Sequence, residues 1–90
     1  MAIEIVLPPV LQPLVGDTKK IIVSGGTVGE CLKNLVEKYP QMKVKLFNKN
    51  RKLVNGINIF LNGESFSGEL LAKAVQDGDK IHVSFMVLGG

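Results

Sequence analysis

The sequence predicts an α+β fold: one mixed sheet of four to five strands wrapped on one main helix, with a short helix besides, in a chain of 90 residues. Three stretches carry that expectation. Residues 80–87 alternate Ile81, Val83, Phe85 and Val87 with Lys80, His82, Ser84 and Met86, a period of two that lines one face of a strand. Val28, Cys31, Leu32, Leu35, Val36 and Tyr39 recur at i, i+3, i+4, i+7, i+8 and i+11, one apolar stripe along a helix. Ile57, Ile59 and Leu61 alternate again with Asn58 and Phe60. A single amphipathic helix has one stripe to bury, and one apolar sheet face covers it.

Taken in order, Ile3, Ile5 and Leu7 share a face in a first strand. Pro8, Pro9 and Pro13 forbid a regular ladder after it. Gly16-Asp17 signals a turn, and Lys19 to Val23 forms a second strand, antiparallel to the first. Ser24-Gly25-Gly26 breaks that strand. Thr27 opens the helix, and Glu30 three residues on completes a capping box. Lys33, Asn34, Glu37 and Lys38 take the polar face, and Pro40 ends the helix by pushing Tyr39 out of the α region. Residues 41–47 read two ways: Met42, Val44 and Leu46 alternate as a strand would, while Met42, Leu46 and Phe47 fit a short helix. Residues 48–55 are a polar, basic loop. The third strand closes at the turn pair Asn62-Gly63. Residues 65–68 are another loop, Leu70, Leu71, Ala74 and Val75 suggest one or two helical turns, and Asp77-Gly78-Asp79 turns into the final strand. With the first strand central and the last parallel beside it, this order is the β-grasp, the ubiquitin-like arrangement. Residues 1–87 make that domain and residues 88–90 a flexible tail.

The composition suits one soluble domain without staples. Apolar residues make up 46%, enough for one modest core at this length. No apolar run is long enough to span a membrane, and Glu4 inside the short apolar start argues against a signal peptide. Cys31 is the one cysteine, so no internal disulfide forms and a reducing, cytoplasmic setting is expected. A net charge of +3 is too little to argue for nucleic acid. The charge is uneven, however: Lys43, Lys45, Lys49, Arg51 and Lys52 fall in one ten-residue stretch without an acid, a solvated loop first and a surface for an acidic partner second.

The chemistry points to the end of the chain. The final strand runs into Gly89 and Gly90. A free carboxylate is a poor electrophile and reacts only once activated, for example by adenylation in another enzyme's pocket. Residues without a Cβ can thread the narrow channel that leads to the α-phosphate of ATP. The carboxylate of Gly90 is therefore the candidate reactive group, with Gly89 beside it. The bland alternative is an inert end.

The string D-G-D-K-I-H-V-S-F-M-V-L-G-G resembles the end of the MoaD/ThiS sulfur-carrier proteins. V-N-G-I-N-I-F-L-N-G-E is similar to their third strand and turn, and T-V-G-E-C-L-K-N-L-V-E-K-Y-P to their helix. I-V-L-P-P-V-L-Q-P and F-S-G-E-L-L-A-K-A-V-Q-D-G-D look most like the CysO-type members, the carriers for cysteine synthesis. The resemblance covers nearly the whole chain. It implies that an E1-like enzyme, using ATP, adenylates Gly90; that a sulfur donor converts it to a thiocarboxylate; and that the sulfur passes to a substrate on an acceptor enzyme of cofactor or cysteine biosynthesis. The carrier itself then needs no catalytic side chain, bound cofactor or metal. Many relatives have prolines near the start of the tail and a small residue before Gly-Gly; here Phe85, Met86 and Leu88 stand there.

Single residues weigh as follows. Cys31 lies in the helix stripe and reads as core. His82 has no second ligand-type residue at metal spacing and reads as an exposed strand residue. Asp77 and Asp79 are turn residues before they are paired acids. Gly25-Gly26 lacks the lysine of a phosphate loop. Phe60 and Met86 lie off the apolar alternation, and with Phe85 and Leu88 they form a candidate docking patch for the activating enzyme, since interface cores favour Phe and Met. Two further readings stand beside the carrier: a ubiquitin-like modifier conjugated to lysines, and a small subunit of molybdopterin synthase with its tail in a partner's site.

Overall fold

The computed structural model describes residues 2–50, 52–54, 56–65 and 69–85. Five strands form one sheet: β1 (Ile3–Val6), β2 (Lys20–Val23), β3 (Ile57–Leu61), β4 (Glu64–Ser65) and β5 (Lys80–Phe85), in the order β2-β1-β5-β3-β4. First and last strands lie side by side in parallel, with Glu4 opposite Lys80, Ile5 opposite Ile81 and Val6 opposite His82. The other neighbours are antiparallel. One main helix, α1 (Val28–Lys38), and one short helix, α2 (Lys43–Leu46), complete a β-grasp fold.

Alternation decides the core. Ile3, Ile5, Ile21, Val23, Ile57, Ile59, Leu61, Ile81 and Val83 are buried on one sheet face, and Val28, Cys31, Leu32 and Leu35 of α1 are buried with them. Burying each such aliphatic side chain contributes about 1.5–3 kcal/mol. The proline-rich connection has no ladder, yet it seats Leu7, Leu11 and Val15 in the same core. A single 3-10 turn at Gln12–Val15 closes it.

The start of α1 departs slightly from a simple capping box. The Glu30 amide donates to Thr27 Oγ1 at 3.1 Å, as expected. The Glu30 carboxylate reaches past the cap and accepts from the Gly26 amide at 2.9 Å. Gly25 is set by close approach: a Cβ there would stand 2.8 Å from Cys31 Sγ and 2.9 Å from the Cys31 amide nitrogen. The helix ends at Tyr39, whose backbone is extended (φ −129°, ψ 82°) before Pro40.

Residues 40–46 resolve as a 3-10 turn, Pro40–Met42, running into α2. A strand would have turned Val44 to the same face as Met42 and Leu46. Instead Met42 and Leu46 are fully buried and Val44 is 75% exposed. Asn62 and Gly63 both have positive φ (51° and 85°), the type I′ geometry of a two-residue hairpin, and they fold β4 back onto β3. That edge strand takes in Glu64 and Ser65, where the sequence suggested only loop beyond the turn. Leu70–Ala72 forms one 3-10 turn rather than one or two helical turns, and Ala74 leaves it to bridge Thr27.

Candidate functional site: the root of the terminal strand and the outer sheet face

β5 is the central strand of the sheet, held by β1 on one side and β3 on the other. Its start is pinned by two motifs that lie far apart in sequence. The Asn62 side-chain amide donates to Asp79 Oδ1 (3.1 Å), and Asn62 Oδ1 accepts from the Lys80 amide (2.9 Å). Asp79 Oδ2 accepts from the Gln76 amide at 2.8 Å. Asp77 Oδ1 accepts from the Ala2 amide at 2.7 Å, and the Gly78 amide donates to the Ala2 carbonyl. The D-G-D turn thus joins the chain start, the β3–β4 hairpin and β5. Donation from the Gln76 amide, then from the Asn62 amide, holds the Asp79 carboxyl below its ordinary value.

This fixes where the terminal segment begins. β5 ends at Phe85, opposite Ile57. Gly90, Gly89, Leu88 and Met86 lie outside the described residues.

Phe60 and Phe85 do not share a patch. Phe60 pairs with His82 on the outer face of the sheet, away from α1. Phe85 pairs with Ile57 and belongs by parity to the inner face, but it sits at the end of the ladder and is 39% exposed. The partners of Phe60 are instead outer-face residues that the sequence did not single out. Val6 and Phe60 flank His82 in one row across three strands, all half-buried. In the adjacent row Glu4 stands between Ile22 and Lys80, and its carboxylate lies 3.9 Å from both Lys20 Nζ and Lys80 Nζ. Glu4 Oε2 and His82 Nδ1 are shielded from solvent without a hydrogen-bond partner among the described residues. Alternation in β1, with Ile3 and Ile5 inward, marks Glu4 and Val6 as outward, but which strands stand beside them depends on the parallel β1–β5 pairing.

Cys31 is fully enclosed, and burial followed by the neighbouring Glu30 carboxylate pushes its thiol up, so it is not a poised nucleophile. Among the described residues no cluster of three or more His, Cys, Asp or Glu could hold a metal ion, and no helix is long and apolar enough to cross a membrane.

The chain matches the profile of the ThiS family over residues 5–90. Among curated proteins, no sequence matches it significantly. Solved structures do. A chain of the Amycolatopsis orientalis BexX/CysO complex is 28% identical, with a TM-score of 0.88 over 99% of this chain and 100% of that one. SAMP1 from Haloferax volcanii is 28% identical, with a TM-score of 0.86 over all of both chains. Mycobacterium tuberculosis CysO is 31% identical, with a TM-score of 0.84 over 94% of this chain and 99% of that one.

Proposed function

The chain belongs to the ThiS family, ubiquitin-like sulfur carriers and modifiers, and from that premise we propose that it is a sulfur carrier whose Gly90 carboxylate becomes a thiocarboxylate. The observation that carries this reading is the extent of the family match, which runs through Gly89 to Gly90. The Gly90 carboxylate attacks the α-phosphorus of ATP on an E1-like enzyme, and pyrophosphate leaves. A sulfide-level donor then attacks the acyl carbon and displaces AMP; a C–S bond replaces a C–O bond, with no change in oxidation state. The thiocarboxylate, ionised at neutral pH, delivers its sulfur to a substrate on an acceptor enzyme of cysteine or cofactor biosynthesis in the cytoplasm. ATP belongs to the activating enzyme, and the carrier contributes no catalytic side chain.

The fold supplies a holder. β5 is hydrogen-bonded on both sides, so force on the tail is borne by the central strand rather than by an edge. In this proposal Phe60, with Val6 and His82, docks the activating enzyme from the outer face, and Phe85, Met86 and Leu88 contact the mouth of its channel. The likeness to a CysO that was crystallised with BexX supports a carrier that works while docked on a partner.

A second reading has its own support: SAMP1 is a small archaeal modifier protein. The same adenylate, attacked by a lysine amine, yields an isopeptide. Intact-mass spectrometry separates the two. Incubation with ATP, a candidate activating enzyme and sulfide should give a mass gain of one oxygen replaced by sulfur, lost when Gly90 is deleted. A gain that survives the deletion, or none with an enzyme that does adenylate the chain, overturns the carrier reading. Higher-mass conjugates that survive reduction favour the modifier.

A further inference from the structure

A groove of about 580 Å³ opens on the helical layer, on the side of α1 turned away from the sheet. Val36 of α1, Phe47 at the end of α2 and Leu71 of the 3-10 turn form its apolar floor, each half-buried. Lys33 and Lys43 stand at its rim, both exposed, and Glu37 is the one carboxylate there. Neither lysine makes an ion pair among the described residues. The stretch of sequence that supplies Lys43, Phe47 and Asn48 is basic throughout: between Glu37 and Glu64 it contains no acid, but it has Lys38, Lys43, Lys45, Lys49, Arg51 and Lys52.

We propose that this groove is a second docking site, and that its occupant is an acidic peptide segment of a partner protein carrying one bulky apolar anchor. The apolar floor takes the anchor, and Lys33 and Lys43 take carboxylates on either side of it. The fit follows from charge. An unpaired lysine pair beside an apolar floor repels a basic segment, while a neutral one leaves both ammonium groups without partners. The site does not depend on how Gly90 reacts. It lies on the opposite layer from Phe60 and His82, so a partner held here leaves the outer sheet face free. A carrier that must meet an activating enzyme and then an acceptor could therefore hold a segment of one while the other is engaged.

The probe is a labelled acetyl-Glu-Asp-Leu-Phe-Asp-Glu-amide peptide, titrated into the ¹⁵N-labelled full chain at low salt. Shift changes should centre on Gly29, Lys33, Val36, Phe47 and Leu71. The double variant K33E/K43E should weaken binding about tenfold or more, since two attractive contacts become repulsive. The variant K19E/K20E, at two exposed positions of the β2 end of the sheet, carries the same net charge with the groove intact, and it should cost no more than about threefold. Raising ionic strength to 1 M, where screening acts within about 3 Å, should weaken binding severalfold while leaving the anchor's contacts in place. The proposal is overturned if the peptide does not bind, if its shifts map to the Phe60–His82 face, or if both charge variants lose affinity equally, which would mean attraction to net charge alone.

Discussion

Gly25→Ala is the sharpest test of how α1 is seated. The two glycines before the helix look equivalent in sequence, but an added Cβ meets different surroundings at each. At position 25 it would stand 2.8 Å from Cys31 Sγ and 2.9 Å from the Cys31 amide nitrogen. At position 26 the nearest atom is Glu30 Oε1 at 3.6 Å, an ordinary contact. The sulfur can rotate only into a fully packed core, and the amide belongs to the first turn of the helix, so neither yields cheaply. Overpacking of this kind costs about 1–3 kcal/mol. With a urea m-value of about 1–1.5 kcal/mol/M for a small domain, the midpoint should fall by roughly 0.7–3 M at unchanged m. Gly26→Ala should lie within about 1 kcal/mol of the parent in either direction. Adding Cys31→Ala removes the sulfur contact and leaves the amide contact, so G25A/C31A should show partial rescue relative to C31A alone. Equal effects of G25A and G26A, or full rescue in the double variant, would refute the seating derived above.

Other expectations follow from the same geometry. Asp79 is held below its ordinary value, so its contribution is present above the unfolded carboxylate value of about 3.9 and is lost as pH falls through the lower folded value. Asp79→Asn should flatten the stability–pH curve below about pH 4 and leave its alkaline limb unchanged, as read by thermal melts across pH. The enclosed Cys31 thiol should resist a thiol reagent at pH 8 and react only at the rate at which the core opens, a rate that rises with urea; fast labelling of the native chain would contradict its burial. Val44→Lys should be near neutral and Leu46→Ala should cost about 2–5 kcal/mol in urea unfolding, whereas a comparably large cost for both would restore the strand reading of residues 42–46.

The sequence by itself determined the elements whose signal is local. The stripe of α1, its cap at Thr27, its stop at Pro40 and the alternation of β1, β3 and, through Phe85, β5 are each set by neighbours within a few residues, and within the described residues each stands where the pattern puts it. Residues 42–46 satisfy both periods at once, so burial of Met42 and Leu46 under the fold decided between them. The edge strand β4 is two residues long, too short for any periodicity, and exists because the type I′ turn lays it against β3. The outer face is the clearest case of what only tertiary structure decides. Glu4, Val6, Phe60 and His82 come from three strands up to 78 residues apart, from Glu4 to His82, and they become neighbours only once β5 inserts in parallel beside β1. The same holds for Asn62 and Asp79, whose motifs read as two separate turns until their side chains meet. Local chemistry writes the strands and the helix; the register between strands, a property of long-range pairing, decides which side chains act together.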